Sequence, residues 1–255
     1  MLNSVLGWVQ QQGGDPTTVG PATRLDRDTT GVSVFSKTKA AASAVGQLMS
    51  APNGIGEYGG SIKEYLALTE PLPSISGDED YHFNGRSRMP QELNVGEEFV
   101  VRKSLAAGPK RKNAPPLVTV VPVFDGGKPA GTRCQLLGVS PLGHELLLCT
   151  LESGRTHQIR VHLQSAGRSV LGDTTYGSLA NDGDVEELGD EKDWTLRSLH
   201  CSNGAIGRQA LHAWRLRFLH PRSMREMEVT APVPNDMINA AKMIQVNHPY
   251  FGGDG

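Results

Sequence analysis

The sequence predicts an α+β fold: one large, mixed and mostly antiparallel sheet with flanking helices, carried by a single domain over residues 1–255. Three observations lead there. Strand-like runs follow one another with few helices between them. The 255 residues, 38% of them hydrophobic, suffice for a sizeable core and are too apolar for a disordered chain. The 30 glycines and 16 prolines call for many turns.

The elements follow in order. GVSVFSK at 31–37 alternates and is rich in Val, which reads as a half-buried strand. Residues 38–49 read as a helix, because Ala40, Ala41, Ala44, Val45 and Leu48 recur at helical spacing. SIKEYLALT at 61–69 is a strand, and the Pro- and Gly-punctuated stretch 71–97 is a loop. Strands are expected at 98–103, 118–124, 132–139 and 145–151. A helix over 155–166 ends at Gly167. Strands at 210–218 and 227–231 and a closing helix at 236–245 complete the chain.

Charge first argues against a nucleic-acid partner, since the 25 Lys and Arg against 27 Asp and Glu give a net charge of −2. The total hides a segregation. Residues 182–193 carry seven acids and one base, a local charge of −6, so the remainder sums to +4. A solvated surface loop is the plain reading of the acidic run. Residues 102–112 carry five bases, as a flexible basic loop or a phosphate-contacting one. Three widely spaced cysteines, Cys134, Cys149 and Cys201, suggest neither a zinc site nor a disulfide framework. No run approaches the ~18 apolar residues of a membrane helix, and MLNSVLGWV lacks the features of a signal peptide. An intracellular protein, in cytoplasm or organelle, is expected.

Two clusters could carry chemistry. RLDRDTTG at 24–31 holds Arg24, Asp26, Arg27 and Asp28 before a Thr-Thr-Gly turn. On an extended segment Arg24, Asp26 and Asp28 share one side, and Leu25 and Arg27 the other. An aspartate among arginines stays ionised and can act as base or nucleophile; a structural salt-bridge cluster is the alternative. SGRTHQIRVHL at 153–163 gathers Arg155, His157, Gln158, Ile159 and Arg160 at a helix start. Such donors suit an anion, or simply make a polar helix face. Tyr65 lies inside a strand on the face of Lys63 and Ala67. LGDTTYG at 171–177 reads as a Gly-bounded turn.

Taken in order, RLDRDTTG (24–31), KEYLAL (63–68), SGRTHQIRVHL (153–163), LGDTTYG (171–177), LHAWRLRF with the following HP (211–221) and AP.P (231–234) resemble the RluA-like family of RNA pseudouridine synthases. GRTHQIRVH is the most specific piece, and the resemblance covers 22–237. It implies a pseudouridine synthase fold with a central active-site cleft. It also implies isomerisation of a uridine in structured ribosomal or transfer RNA, with no metal and no organic cofactor. Asp26 matches the family's catalytic aspartate. Arg24 matches the arginine that helps displace the target base, and Tyr65 the tyrosine that stacks on the uracil. Arg160 matches the arginine paired with the aspartate, and Ile159 would line the base pocket. Arg27, Arg155 and His157 are further candidates for substrate binding.

The physics is consistent with those roles. A stacked uridine must be flipped out at a cost of a few kcal/mol. Burial raises the pKa of an aspartate and a nearby guanidinium lowers it, so an Asp26–Arg160 pair keeps the carboxylate charged. Sequence leaves open whether Asp26 attacks a carbon or takes a ribose proton; the resemblance favours proton removal. Thr23 stands where relatives usually have His, and the upstream Asn-Lys-Pro strand of relatives has no counterpart in the 23 residues before Arg24. That strand is therefore expected to be missing, and no separate RNA-binding module is expected. The loops 71–97 and 104–116 are candidates for substrate selection. An RNA-binding pseudoenzyme, or a hydrolase using Asp26 with His157, are the competing readings. RNA is the expected partner, with no membrane and no metal, and the expected state is a monomer.

Overall fold

The computed structural model describes residues 2–51, 55, 60–71, 93–108, 117–177 and 202–251. Its helices are α1 (Leu2–Gln11), α2 (Lys39–Ser50), α3 (Gln158–Ser165) and α4 (Asn235–Met243). Its strands are β1 (Gly20–Pro21), β2 (Thr30–Gly31), β3 (Phe35–Ser36), β4 (Ser61–Leu68), β5 (Glu98–Arg102), β6 (Leu105–Ala107), β7 (Val118–Val120), β8 (Gly131–Val139), β9 (Glu145–Leu151), β10 (Leu211–Leu219) and β11 (Glu226–Thr230). The α+β expectation holds. Seven strands form one sheet in the order β11-β10-β4-β9-β8-β5, with β2 beside β10. All its pairings are antiparallel except β2 on β10. None of the described helices is long and apolar enough to cross a membrane.

Alternation along the central strands builds two cores. Leu66 and Leu68 of β4 and Leu146 of β9 face α4, meeting Met237, Ala240 and Ala241. Ala67, Leu147, Cys149, Cys134 and Leu136 face the other way, onto Ile159 and Leu163 of α3. Leu147 is fully buried, so Leu147→Ala removes about 2–5 kcal/mol. Cys134 and Cys149 are free thiols on directly opposed residues of β8 and β9, 3.7 Å apart at sulfur. Cys201, the acidic run 182–193 and the basic residues 110–112 lie outside the described residues, as do most of the loops 71–97 and 104–116.

Several boundaries differ from expectation for identifiable reasons. The alternating run 31–37 serves two sheets: Thr30–Gly31 pairs with β10, and Phe35–Ser36 pairs with β1. Val32 and Val34 between them pack with Val45 and Met49 of α2 and with Leu216 and Phe218 of β10. The expected strand 118–124 stops at Val120, and Pro122 leads into a 3₁₀ turn at Val123–Asp125. α2 starts on its Thr38 cap, whose hydroxyl accepts from the Ala41 amide at 3.1 Å. α2 and α3 lie on the same face of the sheet, and the space between them is the site.

Candidate active site

A cavity of about 760 Å³ opens between α2 and α3. Its floor is Ser61, Lys63 and Tyr65 of β4 with Ala213 and Leu216 of β10. One wall is the end of α2, Met49 to Ala51; another is the segment from Ser153 to Arg160. The third is 22–26, which carries Arg24, Leu25 and Asp26.

That third wall is not the extended segment anticipated. Arg24, Leu25 and Asp26 all line the cavity, and a turn follows in which the Thr29 amide donates to the Asp26 carbonyl at 3.1 Å. Thr23 Oγ1 accepts from the Val34 amide at 2.9 Å, so it ties the wall to the next segment. Gly31 then docks on β10. Its φ of +119° and a virtual Cβ 2.1 Å from the Ala213 carbonyl oxygen admit glycine alone. The Val32 amide donates to that carbonyl at 2.8 Å.

α3 begins at Gln158 rather than near Arg155, because a side chain replaces its first turn. Gln158 Oε1 accepts from Ser153 Oγ at 2.8 Å and from the Arg155 amide at 3.0 Å. Its Nε2 donates to the Gly131 carbonyl at 2.8 Å and to Thr132 Oγ1 at 3.0 Å. The buried amide thus pins the helix start to β8. His157 is left outside the helix in a left-handed conformation, φ 53°.

Arg160, buried on the first turn of α3, reaches two carboxylates. Nε and Nη2 donate to Asp173 at 2.6 and 2.8 Å, and Nη1 donates to Asp26 at 3.4 Å. Asp173, fully buried, also accepts from the Thr175 and Tyr176 amides at 2.9 and 3.0 Å. Burial by itself would lower the Arg160 pKa; the bonds and charge of Asp173 and the charge of Asp26 more than offset it and raise it. The guanidinium sits 4.9 Å from the Tyr176 ring centroid.

Burial and the negative Asp26 push the Tyr65 hydroxyl up to about 12, so it remains protonated. Burial lowers the pKa of His157 against the pull of Asp26, which keeps the imidazole neutral at pH 7. Tyr176 Oη accepts from the Val118 amide and lies 2.9 Å from His157 Nδ1.

Most of the anticipated residues meet in this cavity: Arg24, Asp26, Tyr65, Arg155, His157, Ile159 and Arg160 all line it. Arg27 does not. It projects 61% exposed and pairs with Asp28 at 3.2 Å. His157 Nδ1 lies against Tyr176, and among the described residues no hydrogen bond joins His157 to Asp26. Sequence reasoning counted Gln158 only as one donor at the helix start and read the piece that holds Asp173 only as a turn. The available signal for Asp173 was an aspartate inside the LGDTTYG piece, with amides two and three residues on to hold it.

A cavity between helices on one face of a mixed sheet thus holds a guanidinium between two carboxylates and a protonated tyrosine on its floor. The sequence profile described as RNA pseudouridylate synthase matches residues 6–165, and the chain belongs to that family. Among curated relatives, ribosomal large subunit pseudouridine synthase D of Zymomonas mobilis is 31% identical over 227 residues, covering 88% of this chain and 56% of that protein. The protein of the same name from Neisseria meningitidis is 40% identical over 121 residues, 48% of this chain and 29% of that one. The chain thus spans about half or less of the length of the relatives it matches. The structure of human RNA pseudouridylate synthase domain containing 4 superposes with a TM-score of 0.60 at 20% identity, over 97% of this chain and 84% of that one. That likeness fixes the fold.

Proposed function

We propose that the protein is an RNA pseudouridine synthase acting on uridine in ribosomal RNA, as the names of its relatives indicate. The observation that carries this reading is the meeting of Asp26, Tyr65 and Arg160 on one cavity, although Asp26 and Arg160 are 134 residues apart in sequence. A single catalytic domain supplies every group, which supports activity as a monomer. The chemistry assigned to these groups calls on neither a metal nor an organic cofactor. The protein works wherever its ribosomal RNA is made, inside the cell.

Breaking the glycosidic bond puts negative charge on the departing uracil and electron demand on the ribose. Arg160 is already fixed by Asp173 and needs no reorganisation to answer developing charge. Asp26 takes a proton from the ribose, and the protonated Tyr65 hydroxyl and ring meet the uracil as it turns. Ile159 closes the base pocket, and the neutral His157 ring lines it. Arg24, exposed at the cavity, is suited to fill the gap left by the flipped base. Arg155, also exposed there, suits a phosphate.

As C5 of uracil joins C1′, Asp26 returns its proton to the ribose, N1 takes up a proton and the proton at C5 is expelled. Ribosomal RNA transcribed with uridine tritiated at C5 therefore reports the reaction as released tritium. Asp26→Asn is expected to lose about 10²–10⁴-fold in rate, with its melting temperature and RNA affinity retained. Release at the wild-type rate from Asp26→Asn sinks the role of that carboxylate. Free uracil or shortened RNA in the same reaction would replace isomerisation by hydrolysis. A transfer RNA transcript run in parallel separates the two substrate classes.

A further inference from the structure

We infer that Lys63 is a contact for a backbone phosphate of the nucleotide entering the cavity, an assignment that rests on the RNA-modifying reading above. Lys63 and Tyr65 are two residues apart on β4, so their side chains leave the same face, with Cα atoms roughly 7 Å apart. Both line the cavity. A nucleotide whose base meets Tyr65 carries its nearest phosphate about one sugar away, which is the spacing this strand provides.

The surroundings of the ammonium support an arriving anion. Its Nζ donates to the Met49 carbonyl at 2.5 Å, in the last turn of α2. That carbonyl is one of those a helix end leaves without an intrahelical partner. An ammonium has three donors, and this bond uses one. Lys63 takes part in none of the ion pairs found among the described residues. The nearby carboxylates are held by arginines: Glu152 by Arg102 at 2.8 Å, Glu64 by Arg215 at 2.6 Å and Asp26 by Arg160 at 3.4 Å. A Cβ built on Gly154 would stand 4.0 Å from Nζ, so the ammonium lies between the end of α2 and the Ser153–Gly154 turn. Burial lowers the pKa of Lys63, an unfavourable setting for a cation that a phosphate would reverse. Arg24 and Arg155 are the other cations lining the cavity that carry no carboxylate partner among the described residues, and both are exposed.

The test uses the full chain and a large-subunit ribosomal RNA transcript, with affinity measured from about 50 to 200 mM KCl. Lys63→Gln keeps a donor for the Met49 carbonyl and removes the charge. Its slope of log affinity against log salt is expected to fall by one phosphate contact, ~0.7–0.9, with affinity lowered about 3–10-fold at the low-salt end. In tritium release the loss falls on KM rather than kcat, and Lys63→Arg restores the slope. Lys63→Met, which also loses the Met49 bond, is expected to give the same slope and serves if the glutamine variant melts below the assay temperature. An unchanged slope in the charge-free variants, or a loss confined to kcat, overturns the assignment. A wild-type protein that binds the transcript without releasing tritium refutes the activity reading instead, and the salt slopes still decide the role of Lys63.

Discussion

The two walls that bring carboxylates to Arg160 are built differently. The wall of α3 and the turn after it is buried and saturated with bonds: Asp173 has no exposed side-chain surface and accepts from both its arginine and two backbone amides. The wall of residues 22–31 is mostly irregular, and it is held to the sheet by the two-residue parallel pairing of β2 with β10. Its Asp26 keeps 23% exposure and one long contact of 3.4 Å. Two aspartates therefore share one guanidinium and do different work. The saturated one fixes the cation, and the sparingly bonded one retains lone pairs for a substrate.

Breaking the first wall should have the largest effect on stability. Arg160→Ala leaves Asp173 as a buried charge stripped of its counter-ion, and about 3–5 kcal/mol of stability should go with it. Chemical denaturation measures this, and a loss under 1 kcal/mol would mean that Asp173 is less committed than its bonds indicate. Next comes the second wall. Gly31→Ala drives a methyl into the Ala213 carbonyl and strains a positive φ, for about 1–3 kcal/mol. Tritium release should fall further than stability does, because Asp26 moves with β2. A variant with unaltered turnover would show that this wall needs no docking on β10.

Acid separates the walls more gently. Burial lowers the pKa of His157, His162 and His212, the first two in or beside α3. The folded protein therefore holds these rings neutral, while the unfolded chain takes up protons from about pH 6.5 downward. Their contribution is complete above that value and is lost as pH falls toward the lowered folded-state values. Melting temperature should drop between about pH 7 and pH 5, and replacing His162 by Gln should flatten the drop. An equal slope in the variant removes His162 from this account. The smallest effect belongs to Arg27→Ala. That side chain pairs with Asp28 on the surface, so the urea midpoint should move by under ~1 kcal/mol equivalent.

Much of this molecule was legible in its sequence where one period dominates. β4, β8, β9, β10 and α2 fall within a residue or two of their expected bounds, because each alternates or repeats against a single core. The reading failed where a partner distant in sequence decides. The run 31–37 alternates like one strand, yet β10 claims its start and β1 its end. The start of α3 depends on an amide clamp to Gly131 and Thr132, some 26 residues earlier, which no local propensity encodes. α1 and β6 were not anticipated; α1 buries only Val9, and β6 is three residues long. In the site, the resemblance singled out Asp26, Tyr65 and Arg160, which line one cavity. Asp173 looked like an ordinary turn residue, since nothing local says that its carboxylate enters the core. Arg27 lies off the cavity lining for the converse reason, as the turn after Asp26 sends it outward.

The pairing of β2 with β10 also sets an order of events during synthesis. Thr30 meets His212, 182 residues later in the chain, with its hydroxyl 2.8 Å from the ring Nδ1. At ordinary translation speeds of about 5–20 residues per second, roughly 10–40 s separate the appearance of the two partners. The aspartate thus leaves the ribosome well before the strand that seats it. A nascent chain carries its chemistry unassembled until β10 has emerged.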